Sequence, residues 1–146
     1  MDTRTVVQTL MQSVAAGDSA TIESLFADVV DWRLDWPDEG HPAVPWIRPR
    51  RTPAEAAAHF SEIRTHHVPE KDASEIHQIL VDGPDAVVLA TLAQTARATG
   101  REYTALCALH LTVENGLITR YHVYEDSLTV ANALTPLRRQ MEVPHT

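Results

Sequence analysis

The stretch "LHLTVENGLITRYHVYED", Leu109 to Asp126, limits the possible folds more than any other part of the chain. Asn115-Gly116 stands between two runs rich in Leu, Ile, Thr, Val and Tyr, and this dipeptide accepts the two positive φ angles of a tight hairpin turn. Both arms are therefore expected as neighbouring antiparallel strands. Side chains alternate faces along a strand, so His110, Tyr121, His122, Tyr124, Glu125 and Asp126 divide between two environments. Any of them on a buried face needs a partner or a task.

The facing depends on the register. With Asn115 and Gly116 alone in the turn, Glu114 faces Leu117 and counting outward pairs His110 with Tyr121. Leu106, Ala108, His110 and Thr112 then share a face with Thr119, Tyr121, Val123 and Glu125. A three-residue Glu-Asn-Gly loop with a bulge would instead put His110 beside Arg120 and His122.

The rest of the chain supplies what such a hairpin packs against. Val6, Val7, Leu10, Met11 and Val14 form one stripe of an amphipathic helix that Gly17 ends. Asp18 or Ser19 caps a second helix running to about Ala27, and Val29 to Trp36 reads as a strand stopped by Pro37. The loop "PDEGHPAVPWIRPRR" carries four prolines and one glycine, too long for a tight turn and of the kind that rims binding sites. Thr52, Pro53 and Glu55 make a capping-box start for a third helix that ends before Pro69. Strands follow at Ser74 to Val81, Ala86 to Ala98, Arg101 to Val113 and Leu117 to Glu125. Asp126 or Ser127 then caps a short helix through Leu134.

The predicted order is ααβαββββ with a short C-terminal helix. This is an α+β chain in which a curved, mostly antiparallel sheet wraps around the N-terminal helices as a cone. A cone has an interior, and pockets sit in such concavities. At 146 residues one domain is expected, over 1–135, with a flexible tail at 136–146.

Charge and composition exclude several function classes. A net charge of −8 argues against nucleic-acid binding, which rests on clustered Lys and Arg. The single Cys107 allows no disulfide framework, the N-terminus lacks a basic start followed by an apolar block, and no run is long enough for a membrane span. A cytoplasmic protein with no membrane partner is expected. His59 and His66 are seven residues apart on one helix side, His66 and His67 diverge, and no CxxC or HExxH spacing occurs, so no metal is expected. Without a GxGxxG or P-loop motif, no nucleotide cofactor is expected either.

The chain resembles the nuclear transport factor 2-like superfamily, and within it the SnoaL-like and ketosteroid isomerase-like proteins. The likeness lies in "VVQTLMQSVAAGDSATIESLFADVVDW", "ATGREYTALCALHLTVENGLI" and "YHVYEDSLTVANAL", together with the element order. The resemblance implies a cone with a hydrophobic pocket and a homodimer formed through the convex sheet face. The activities it brings are isomerase, polyketide cyclase, epoxide hydrolase and dehydratase chemistry, besides non-catalytic binding.

Residue by residue, the best-known machinery is not matched. Ketosteroid isomerases bear a tyrosine where this chain has Leu10, and a base aspartate before a proline where it has Trp36 before Pro37. Their second oxyanion donor is an aspartate on the penultimate strand, and no Asp or Glu occurs between Tyr103 and Val113. Cyclases and limonene epoxide hydrolases bear an aspartate five residues after the isoleucine of Gly-x-Ile. Counted from Ile118, that position is Val123. The Arg-x-Asp pair of the epoxide hydrolases falls on Leu92 to Gln94, without charge.

The catalytic candidates are therefore His110, whose imidazole exchanges protons near neutrality, Tyr121 as hydrogen-bond donor, and Asp35 beside the aromatic wall of Trp36. Trp32, Trp36, Trp46, Phe60, Val123 and Glu125 are the expected lining for a small hydrophobic molecule. The expected function is cofactor-independent proton transfer on a small carbonyl or polyketide-like substrate: isomerisation, cyclisation or dehydration. The alternative is a binding module that holds such a molecule unchanged.

Overall fold

A computed structural model describes residues 1–136; the proposed tail from position 137 onward lies outside the described residues. Helix α1 (Thr3–Ala16) starts where the Asp2 carboxylate accepts the Thr5 N–H, and it ends at Gly17, whose φ of +70° lets its amide turn back to Ser13 and Val14 carbonyls. Val6, Val7 and Leu10 point inward from it. Helix α2 (Ser19–Ser24) is capped by Asp18 and leads directly into β1 (Phe26–Leu34). This strand begins earlier than the sequence reading had it, because Phe26 already pairs with Ile118 across a ladder that bulges before Asp31. Helix α3 (Pro53–Thr65) carries the full capping box between Thr52 and Glu55.

After a 3-10 turn at Pro69–Lys71 come β2 (Glu75–Asp82), β3 (Asp85–Thr95), β4 (Glu102–Glu114) and β5 (Leu117–Glu125), then α4 (Ser127–Leu134) capped by Asp126. The sheet runs β1-β5-β4-β3-β2, antiparallel except for the parallel β1–β5 pair. Its inner face packs against α1 and α3 through a core that includes Leu10, Phe60, Val88, Leu111 and Ile118. A second apolar cluster joins Trp46 and Ile47 of the long loop to Tyr103, Ala105 and Val130. The α+β expectation is met. Cys107, Leu109, Leu111 and Val113, which alternate along β4, all belong to the core.

The register of the hairpin decides which polar groups reach the interior. Asn115 (φ +53°) and Gly116 (φ +78°) form the two-residue turn, and Glu114 faces Leu117. Val113 pairs with Ile118, but Thr112 pairs with Arg120, so Thr119 is an extra residue in β5. Beyond this bulge Leu111 faces Tyr121 and His110 faces His122. The pairing of His110 with Tyr121 is thus off by one residue; His110 stands beside His122, as the bulged register had it, although the bulge lies at Thr119 of β5 and not in a three-residue loop. Tyr121, Val123 and Glu125 look inward with Leu111, Leu109 and Cys107, whereas His110 looks outward.

Candidate active site

Between α1, α3 and the inner sheet face lies a cavity of about 490 Å³. Its walls are mostly apolar, among them Leu34, Phe60, Ile63, Leu92, Leu109 and Val123. Exposed Arg64, Asp72, Ser74 and Glu75 place its opening between the end of α3 and the start of β2. Trp46 closes another side. Its carbonyl accepts Arg50 Nη2 at 3.3 Å and lies 3.3 Å from His59 Nδ1, which ties the proline-rich loop to α3. Arg50 is buried and also binds the Glu62 carboxylate at 3.2 Å, so it is committed to holding this loop.

Glu125 is the carboxylate on the wall. It sits opposite Cys107 on β4, and Trp36 Nε1–H donates to its Oε2 at 2.7 Å. Burial raises its pKa, the Trp36 hydrogen bond works the other way, and the nearby charges of Asp35 and Asp126 add to the rise. Burial and the same carboxylate push the Cys107 thiol up to about 12, which leaves it protonated and a poor nucleophile. Tyr121 lines the cavity and stacks on Trp32 at 4.7 Å between ring centroids, with Phe60 edge-on at 5.5 Å. Its pKa is raised, chiefly by burial, so its hydroxyl keeps its proton. His59 is held neutral, its pKa lowered to about 3 by burial and then by Arg50.

A second polar group lies on β3 and β4. Tyr103 Oη stands 2.7 Å from His67 Nε2 and 2.9 Å from the Gln94 side-chain amide, while His67 Nδ1 is 2.7 Å from the Ile63 carbonyl. Burial lowers the His67 pKa, and His66 acts in the same direction. All three side chains line the cavity.

Of the sequence candidates, Tyr121, Trp46, Phe60, Val123 and Glu125 line this cavity. The other four do not. His110 is on the outer face, where its Nε2 meets Asp85 at 3.0 Å and Thr112 Oγ1 donates to the same carboxylate at 2.6 Å. Beside it His122 and Arg120 pair with Asp31, so this face carries a patch of exposed, salt-bridged charge. Asp35 is exposed just past β1, with its backbone N–H bonded to the Val123 carbonyl. Trp32 lies one layer back, as the stacking support of Tyr121, and Trp36 serves the site by holding Glu125.

His67, Tyr103 and Gln94 are not among the candidates that the sequence marks. The only local hint was Tyr103 within a strand otherwise free of large polar groups on its inner face. Among the described residues no three His, Cys, Asp or Glu side chains come together to hold a metal.

The SnoaL-like domain profile matches residues 7–121. The chain belongs to the SnoaL-like family. No curated protein matches this SnoaL-like chain in sequence. Among solved structures, an NTF2-like protein of Burkholderia thailandensis is similar with a TM-score of 0.77 at 18% identity, covering 93% of this chain and 99% of its own. IdmH of Streptomyces antibioticus, described as a candidate polyketide cyclase, is similar at 0.70 and 16%, covering 92% and 99%. A limonene-epoxide-hydrolase-like epoxide hydrolase of Mycobacterium tuberculosis is similar at 0.63 and 16%, covering 88% and 86%. At these identities the likeness is one of fold. Within the fold, this SnoaL-like chain has valine at the position where the resemblance implies a carboxylate. Its own carboxylate stands two residues further on the same face, at Glu125.

Proposed function

We propose that this protein is a cofactor-independent acid–base enzyme acting on a small, mostly apolar carbonyl compound of polyketide-like character. Glu125 is the group that moves the proton. Its carboxylate takes a C–H proton adjacent to the substrate carbonyl, the carbon–hydrogen electron pair becomes the enolate double bond, and the proton returns to the same or another carbon. Tyr121 is the donor available to the carbonyl oxygen. The reading is carried by one observation: a half-buried carboxylate on the wall of an apolar cavity, fixed by the Trp36 indole at 2.7 Å. Burial raises the pKa of this carboxylate and so makes it a stronger base than an ordinary one.

Incubation of the protein in D₂O with a panel of lipophilic ketones and lactones tests this, with mass spectrometry of the recovered compounds. Deuterium at the carbon beside the carbonyl, above the buffer rate, is the expected result. A compound that shifts the melting temperature yet returns without deuterium would make the protein a binding module. That second reading draws on Val123, which removes the family's carboxylate from its place.

We further propose that two copies associate through the outer sheet face. Leu106 (71% exposed), Tyr124 (50%) and Leu80 (46%) are large apolar side chains on that face, and a charged patch of both signs lies beside them. Light scattering is expected to give twice the 16.2 kDa chain mass, and Leu106→Glu is expected to halve it. A monomeric wild-type protein would remove the proposal.

A further inference from the structure

We infer that Tyr103 faces the cavity as a hydrogen-bond acceptor, so that the molecule bound there carries a hydroxyl group at the Tyr103 end in addition to the carbonyl at Glu125. The inference deepens the acid–base reading and rests on it for the carbonyl end only.

The Ile63 C=O can only accept, so the His67 nitrogen 2.7 Å from it, Nδ1, carries the ring proton. A neutral imidazole has one N–H, which leaves Nε2 as an acceptor. The Tyr103 hydroxyl lies 2.7 Å from that nitrogen and among the described residues is the donor that meets it, so its single proton points at His67. Gln94 Oε1 is placed 2.9 Å from the same hydroxyl, as an acceptor. With the tyrosine proton given to His67, two acceptors would face each other there, so a half-turn of the amide, which exchanges its oxygen and nitrogen, brings the NH₂ to the tyrosine oxygen. Tyr103 Oη therefore donates to His67, accepts from Gln94, and has lone-pair density but no proton for a ligand.

The surroundings keep the imidazole neutral. His67 is 3% exposed, the rings of Trp46 and Tyr103 pack on it at 5.2 and 5.7 Å, and His66 stands next to it in the chain. Asp72 is the acid whose charge reaches it, and Arg97 is bonded to its backbone carbonyl. Burial lowers its pKa against the weaker pull of Asp72. His67 is thus a positioning residue: it sets which way the Tyr103 proton points and thereby the polarity that the cavity presents. A tyrosine with a free proton would select a carbonyl; one whose proton is taken selects a hydroxyl. Glu125 and Tyr103 both line the wall, so the fitting class is a hydroxylated ketone or lactone, or a phenol bearing a carbonyl, otherwise apolar.

The test uses three probes that share one ring system: 2-naphthol, 2-methoxynaphthalene and 2-acetylnaphthalene, with dissociation constants from calorimetry. The naphthol is expected to bind about five- to tenfold tighter than the other two, the effect of one neutral hydrogen bond. Tyr103→Phe is expected to abolish that advantage and leave methoxynaphthalene affinity unchanged. In the intact protein, ¹⁵N NMR of His67 is expected to show the Nδ1–H tautomer, a readout that needs no variant to fold. His67→Phe combined with Gln94→Leu, which leaves the tyrosine proton without either of these two acceptors, is expected to move the preference towards the acetyl compound. Equal affinities, a ketone preference in the wild type, or an Nε2–H tautomer would overturn the inference. So would a naphthol advantage that survives in Tyr103→Phe but is lost in Glu125→Gln. A naphthol preference without deuterium exchange into any ketone would leave this assignment standing and remove the enzyme reading instead. No binding by any probe would remove both.

Discussion

Glu125→Gln is expected to lower deuterium exchange into a ketone substrate by roughly 10²-fold or more while leaving the fold intact. Glutamine has nearly the shape of glutamate, and its carbonyl oxygen can still accept the Trp36 indole N–H that now meets Oε2 at 2.7 Å. What it lacks is the ability to take a proton. The stability of the variant gives an independent check. The folded-state pKa of Glu125 is raised, mainly by burial, so the folded protein holds this proton more tightly than the unfolded chain does. The stability that the group contributes is full below the unfolded value and is lost as pH rises through the folded value. Above the folded value the wild type therefore carries the cost of a half-buried charge that the glutamine variant does not. The variant is expected to melt at the same temperature as wild type or higher at pH 7, with its relative advantage shrinking as the pH is lowered. Exchange that persists in Glu125→Gln would show that another group moves the proton. A large drop in melting temperature at pH 7 would show that the ionised carboxylate is a structural element.

How far the sequence announced this site depends on how local each signal is. The caps at Gly17, Thr52 and Asp126 and the turn at Asn115-Gly116 are written in residues no more than a few positions apart, because their hydrogen bonds close over that distance. They were legible, and so was the order of elements. The Thr119 bulge was not. Threonine carries no mark of a bulge, and the extra residue is forced by the ladder against β4 rather than by its own backbone preference. That single residue moved His110, the first catalytic candidate, to the outer face. The site itself is built from contacts between distant parts of the chain. Trp36 meets Glu125 across 89 positions and His67 meets Tyr103 across 36. No spacing rule reaches that far. Glu125 entered the lining set from the alternation of β5, whose inner face holds in either register, but its partner Trp36 was read as wall rather than as the donor that orients it.

The corrected register makes its own prediction, because His110 and Leu111 are adjacent and face opposite ways. Leu111 is fully buried against Tyr121 and the core, so Leu111→Ala removes buried methyl groups and leaves a void that the packed helices cannot fully close. The expected cost is about 2–5 kcal/mol, which in a chain of this size lowers the melting temperature by roughly 5–15 °C. His110→Ala breaks a partly exposed contact with Asp85 and is expected to cost less than about 1 kcal/mol, with deuterium exchange into the ketone unchanged. Thermal melts of the two variants, with the exchange assay on His110→Ala, check both halves. If the ladder ran without the Thr119 bulge, the pattern would reverse: Leu111→Ala would be tolerated on the outer face, and His110→Ala would lose the activity. A high melting temperature for Leu111→Ala would therefore return His110 to the cavity, while a low one, together with an active His110→Ala, holds Tyr121, Val123 and Glu125 on the wall where the acid–base reading needs them.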